Sequence, residues 1–274
     1  MFLGYNTNGF AHHRLADALE IISELGYGGV AITLDVHHLD PFSLDAEEQF
    51  GRAEDLCDEL ELQTVVETGA RFLLDARRKH QPTLLDSNDD EREVRSNFLR
   101  LAIDMAAIFG SQAVSFWSGA SAGEEDGVLM NRLVEECRRL ADYAGERGVE
   151  LAFEPEPGMF IDTMPKFAEL HSRVKRANFG LTLDLGHLVC QGELPIGKHI
   201  RQWKDWLWNV HIEDMKAGVH DHLMFGEGEL DFTEAFAALK EIDYRGGVFV
   251  ELSRHSYDAV NAARKSMEFL KRFS

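Results

Sequence analysis

The chain has 274 residues, 45% of them apolar, and a formal charge of −20 from 28 basic and 48 acidic side chains. That length suits one large domain and rules out a small disulfide-stapled scaffold. Such an acidic field opposes binding to nucleic acid, whose affinity comes from cations neutralising phosphates. No apolar run approaches the roughly 20 residues of a membrane helix.

The first residues, Phe2-Leu3-Gly4-Tyr5-Asn6, read as a strand rather than as a basic flank leading into a signal segment. Export is therefore not expected, and the expected location is the cytoplasm. Cys57, Cys137 and Cys190 are scattered and form no CxxC pair, which suits buried thiols in a reducing compartment.

Short β-rich runs recur along the chain: Leu3 to Asn6, Gly29 to Leu34, Gln63 to Glu67, Ala113 to Trp117, Glu150 to Glu154, Gly180 to Asp184, Trp208 to Ile212 and Gly247 to Glu251. Amphipathic stretches separate them, such as Leu15 to Ile22 and Val94 to Phe109, with apolar residues at helical spacing. Glycines at 26, 28, 110, 148, 246 and 247 fall where helix must turn back to strand. Strands alternating with helices give a parallel sheet, and eight such units predict an α/β fold of the (β/α)₈ TIM-barrel type in one domain, residues 1–274. An open doubly wound sheet is disfavoured because the first strand–helix turn lacks Gly-x-Gly-x-x-Gly. The longest irregular stretch runs from about Phe72 to Asn88 after the third strand, and Ala70 to Asp86 in this loop is the expected lid over the barrel mouth.

Ionisable residues stand at the ends of the last four strands: Phe153-Glu154, Leu183-Asp184, Val210-His211 and Val250-Glu251. Barrel strand ends converge on one axis, where active sites are built. Buried carboxylates demand a neutralising cation, so Glu154, Asp184, His211 and Glu251 are expected to hold one divalent metal. The oxygen-rich set suits Mn²⁺ or Mg²⁺, and the imidazole also admits Co²⁺ or Zn²⁺. The alternative is that each acid caps the next helix or pairs with an arginine. His187 and Glu156 lie close enough in sequence to face the same pocket. The run His220-Asp221-His222 precedes Gly226-Glu227-Gly228 and the expected N-cap Asp231, and its histidines are candidates for substrate contact or a second metal site. Trp203, Trp206 and Trp208 read as core packing or as a subunit contact, and oligomeric state is not legible.

These runs, Phe-Glu-Pro-Glu-Pro-Gly (153–158), Leu-Asp-Leu-Gly-His (183–187), Val-His-Ile-Glu-Asp (210–214), Phe-Gly-Glu-Gly-Glu-Leu-Asp-Phe (225–232) and Val-Glu-Leu (250–252), together resemble the xylose isomerase-like barrel superfamily, above all its sugar isomerase/epimerase branch. By that resemblance the four strand-end residues match its metal quartet and His187 its substrate-contacting histidine. It implies an isomerase or epimerase of a small polyhydroxy ketone. The metal would stabilise an enediolate, and Glu154 and Glu251 would serve as acid and base, with His187 assisting. Glu156, Trp117, His220, His222 and Arg71 complete the expected substrate contacts, and Arg71 or Arg254 could bind an anion.

Three other functions fit the same resemblance. One is a dehydratase of a keto-inositol-like substrate, and another is a sugar-binding accessory barrel without catalysis. The third is an endonuclease IV-like phosphodiesterase, with His187, His211 and His222 at matching positions. That group's histidines near strands 3 and 4 are replaced here by Glu67-Thr68 and Phe116-Trp117, and Trp117 cannot ligate a metal. The arginine that ketohexose 3-epimerases place after strand 7 is also missing from Met215 to His220.

Overall fold

The computed structural model describes residues 1–121 and 123–273. Eight parallel strands close into a barrel: β1 (Phe2–Asn6), β2 (Gly29–Thr33), β3 (Gln63–Glu67), β4 (Val114–Phe116), β5 (Leu151–Phe153), β6 (Phe179–Asp184), β7 (Leu207–Ile212) and, after a hairpin, β10 (Gly247–Val250). β1 closes the ring by pairing with β10 on one side and β2 on the other. The expected TIM barrel is the observed one.

Helices α1 (Leu15–Glu24), α2 (Ala46–Glu59), α3 (Asp89–Ile108), α4 (Asp126–Gly145) and α5 (Met164–Val174) follow the first five strands. α1 shows how the sequence sets them: Leu15, Ala18, Leu19 and Ile22 share one face and are all buried. α3 starts at Asn88, whose side chain accepts the Asp90 N–H at 2.8 Å, and three acids fill its first turn. Two short helices, α6 (Leu185–Cys190) and α7 (Ile196–Gln202), separate β6 from β7. α8 (Phe232–Glu241) precedes β10 and α9 (Ala259–Leu270) ends the barrel; Asp231 caps α8 as expected, accepting the Glu234 N–H at 2.9 Å.

Inside the barrel the character changes from floor to mouth. Phe2, Ala31, Val65 and Phe249 plug the N-terminal end. Gly4 is required there, because a Cβ would collide with the Phe249 ring. Above the plug the interior turns polar: Thr182 Oγ1 donates to Ser115 Oγ at 2.9 Å and Asn209 Nδ2 to Glu67 Oε1 at 3.1 Å. β5 and β10 end one residue before Glu154 and Glu251, yet the ladder runs on, with Glu154 N–H donating to Phe116 O at 2.8 Å and Glu251 N–H to Ile212 O at 3.2 Å.

An antiparallel hairpin, β8 (Asp214–Lys216) and β9 (Val219–Leu223), rises after β7 and carries His220 and His222. The sequence pattern had not suggested a strand pair there. Trp203 packs 4.8 Å from Phe167 and Trp206 lies 4.7 Å from His171, which is core packing for both. All three cysteines are buried and unbridged. Among the described residues no helix is long and apolar enough to cross a membrane.

Candidate active site and metal centre

The four strand-end residues converge as the sequence suggested. One ligand atom from each of Glu154, Asp184, His211 and Glu251 lies within 4.8 Å of the others. His211 Nδ1 is 3.1 Å from Glu154 Oε1 and 3.0 Å from Glu251 Oε2. Asp184 does cap α6, accepting the His187 N–H with Oδ1 at 2.9 Å, but its Oδ2 is buried without a hydrogen-bond partner. Capping and site-building thus use different oxygens of one carboxylate.

Three carboxylates against one imidazole leave the cluster short of positive charge. Burial pushes the Glu154 carboxyl up to about 8 although His211 pulls the other way. For Glu251 burial also works upward, but His211, His222 and His187 outweigh it and hold the group below the usual carboxylate range. For His211 burial works downward, and Glu67, Glu154 and Glu251 overcome it, raising the ring well above its ordinary value. The unpartnered Asp184 oxygen and the donor set of three carboxylates and one ring nitrogen fit a hard or borderline divalent cation.

Two residues that sequence reasoning did not assign complete this centre. Glu67, at the end of β3, lies 2.9 Å from His211 Nε2. A carboxylate on that nitrogen fixes the tautomer and turns Nδ1 toward the cation position. Asn8 Nδ2 donates to Glu251 Oε1 at 2.8 Å and sets that carboxylate. Glu67 carried the same signal as the quartet, an acid closing an apolar strand. Asn8 carried none.

A second group, His187, His220 and His222, also has metal-holding spacing. His187 Nδ1–H donates to Pro155 O at 3.1 Å and His222 Nδ1–H to Glu251 O at 3.0 Å, since a carbonyl only accepts. Their Nε2 atoms then approach His220 Nε2, at 3.1 and 3.4 Å. Glu156 reaches the same place, 3.6 Å from His220 Nε2 and 3.7 Å from His187 Nε2, and burial raises its carboxyl well above the ordinary range.

A cavity of about 320 Å³ opens over the centre, bordered by Glu154, Glu156, Glu251, Trp117, His220 and His222, and also by Arg71 from the loop after β3. The expected lid therefore does border the mouth. His187 is buried beside Asp184, with its Nε2 3.1 Å from His220 Nε2. Asp214, in the same motif as His211, is structural, accepting backbone N–H groups from Met215, Gly226 and Leu230 at 3.0, 2.8 and 3.1 Å.

The xylose isomerase-like TIM barrel family model matches residues 6–273. The chain belongs to this family. Within it, an L-ribulose 3-epimerase of Methylomonas sp. (strain DH-1) is 29% identical over 234 residues, covering 82% of this chain and 74% of the relative. An inosose dehydratase of Lacticaseibacillus casei is 27% identical over 137 residues, 44% of this chain and 46% of the relative. The crystal structure of a D-allulose 3-epimerase from Methylomonas sp. superposes with a TM-score of 0.81 at 22% identity, covering 100% of this chain and 98% of the other. This member of the xylose isomerase-like family is an enzyme, as the relatives it resembles are.

Proposed function

We propose that this enzyme is a divalent-metal-dependent epimerase or isomerase of a small polyhydroxy ketone. The observation that carries the reading is the pairing of Glu154 and Glu251: both approach His211 Nδ1, and both border the one cavity above it. Their strands, β5 and β10, flank the β6–β7 pair in the barrel. Two carboxylates so placed can address a substrate carbon from two sides.

A divalent ion held by Glu154, Asp184, His211 and Glu251, Mn²⁺ or Mg²⁺ by donor chemistry, would polarise the ketone and its neighbouring hydroxyl and offset the charge that grows as the intervening C–H loses its proton. One of Glu154 and Glu251 takes that proton from one face, and the other delivers a proton to the opposite face, inverting the carbon. Asn8 and Glu67 keep Glu251 and His211 oriented through both transfers. Trp117 walls the cavity on one side and excludes water, while His220, His222 and Glu156 hold substrate hydroxyls. His187 anchors His220. The epimerase relative supports this reading, since its name describes inversion at a carbon next to a ketone.

The test is solvent-deuterium incorporation across a ketose and inosose panel with Mn²⁺ supplied. One deuterium at one carbon without loss of water is expected, and Glu154→Gln and Glu251→Gln should each abolish epimerisation. Loss of water would assign the dehydratase chemistry of the inosose dehydratase relative instead. Near-wild-type epimerisation in either variant overturns the acid–base assignment.

A further inference from the structure

The rim of the cavity is opposite in sign to its floor. Arg71, Lys79 and Arg254 all border it, in a chain of net charge −20. Arg254 is engaged, paired with Asp221 and donating toward His220 O at 3.4 Å. Arg71 and Lys79, both on the loop between β3 and α3, are less firmly held. Among the described residues Lys79 has no carboxylate partner. The nearest carboxylate to Arg71 is Asp35, whose Oδ2 stands 4.0 Å from Nε, beyond hydrogen-bonding distance. Asp35 meanwhile accepts the Val36 N–H at 2.7 Å with its other oxygen.

A third cation lies behind the same wall. Arg95 is buried, and its guanidinium donates to Pro82 O and His80 O at 2.9 Å and toward Thr68 O at 3.4 Å, with the Trp117 ring 5.0 Å away. Those neighbours are neutral, and Asp86 acts on it only at a distance. Burial lowers its pKa to about 10, so it stays charged at neutral pH. Thr68, His80 and Trp117 border the cavity, so this buried charge lends positive potential to the wall that carries Arg71 and Lys79. Arg71 is only partly exposed, and a 4.0 Å ion pair with Asp35 is its one carboxylate contact among the described residues, which leaves its guanidinium able to take an anion.

We propose that Arg71 and Lys79 bind an anionic group, a phosphate monoester or a carboxylate, at the end of the substrate remote from the reacting carbon. The proposal rests on the polyhydroxy-ketone reading and narrows it to ketose phosphates or acidic ketoses. An arginine fork matches the oxygens of either group, and lysine adds a point charge.

Calorimetry on the Mn²⁺-loaded enzyme decides it, with a ketopentose, its 5-phosphate and a keto-uronic acid as matched ligands, and inorganic phosphate as a probe that needs no fitting sugar. The expected result is binding of an anionic member about tenfold or more tighter than the neutral ketose, fading as salt is raised. The Arg71→Gln/Lys79→Gln double variant should lose that preference and its phosphate binding, while its affinity for Mn²⁺ is unchanged. A preference for the 5-phosphate assigns the phosphate form, and one for the uronic acid assigns the carboxylate form. Equal binding of neutral and anionic ligands, no binding of any anion, or a preference that survives in the double variant overturns it. Deuterium exchange measured alongside separates the two readings: anion preference without exchange refutes the isomerase alone, and exchange without preference refutes the anion site alone.

Discussion

Glu67 Oε1 and His211 Nε2 stand 2.9 Å apart across the barrel, 144 residues apart in the chain, and the contact ties β3 to the metal centre. It leaves His211 Nδ1 to face Glu154, Glu251 and the cation position. Replacing Glu67 with Gln keeps the shape and removes the charge. Ion affinity should weaken about 10- to 100-fold, the range typical of such supporting carboxylates. Fluorescence or calorimetric titration with Mn²⁺ checks this, and an unchanged Kd would show that Glu67 serves packing alone.

Removing the ion should cost stability, because it is the charge that makes three buried carboxylates tolerable. At free Mn²⁺ about 100-fold above Kd, linkage stabilises by about 2.7 kcal/mol. For a chain of this size that corresponds to a Tm rise of roughly 5 °C over the chelator-treated protein. Asp184→Asn should abolish the rise. A variant that still responds in full would mean that the ion binds elsewhere.

The barrel was legible because apolar runs alternate with amphipathic stretches, and the convergence of Glu154, Asp184, His211 and Glu251 because ionisable residues recur at the ends of the last four strands. The hairpin was not. Val219-His220-Asp221-His222-Leu223 is short, rich in ionisable side chains and partly exposed, so locally it resembles a turn. What fixes it is Asp214, whose three N–H contacts come from residues up to 16 positions away. His187 shows the same limit: its spacing from Asp184 was readable, but its contact with His220 depended on that unseen hairpin. Glu67 was visible as an acid but not as a partner of His211, since nothing local connects residues that meet only across a closed barrel.

Asp214→Ala should therefore destabilise the fold well beyond an ordinary surface change. It strands three backbone N–H groups, two of them on buried residues, at a combined cost of roughly 3 kcal/mol or more. Asp221→Ala, on the same hairpin but half-exposed, should change stability by about 0.5 kcal/mol or less. Urea denaturation of the two variants provides the comparison, and equal midpoints would remove Asp214 as the organiser of this loop.

Acid should weaken the fold through histidines remote from the quartet. Burial, the largest influence, lowers both His38 and His80 to about 4, against an ordinary value of 6.5. A depressed pKa means that the unfolded chain takes up each proton first as pH falls. Their contribution is complete above pH 6.5, is lost progressively down to about pH 4, and does not fall further once both states are protonated. His38→Gln cannot take up that proton, so its urea midpoint should decline less than that of the wild type between pH 7 and 4.5. At pH 7 the substitution itself should be mildly destabilising, because it repacks a buried ring site. The decisive quantity is therefore the slope with pH rather than the midpoint at any single pH. Parallel slopes for variant and wild type would mean that His38 takes up its proton equally readily in the folded and unfolded chain, and would place the acid sensitivity elsewhere.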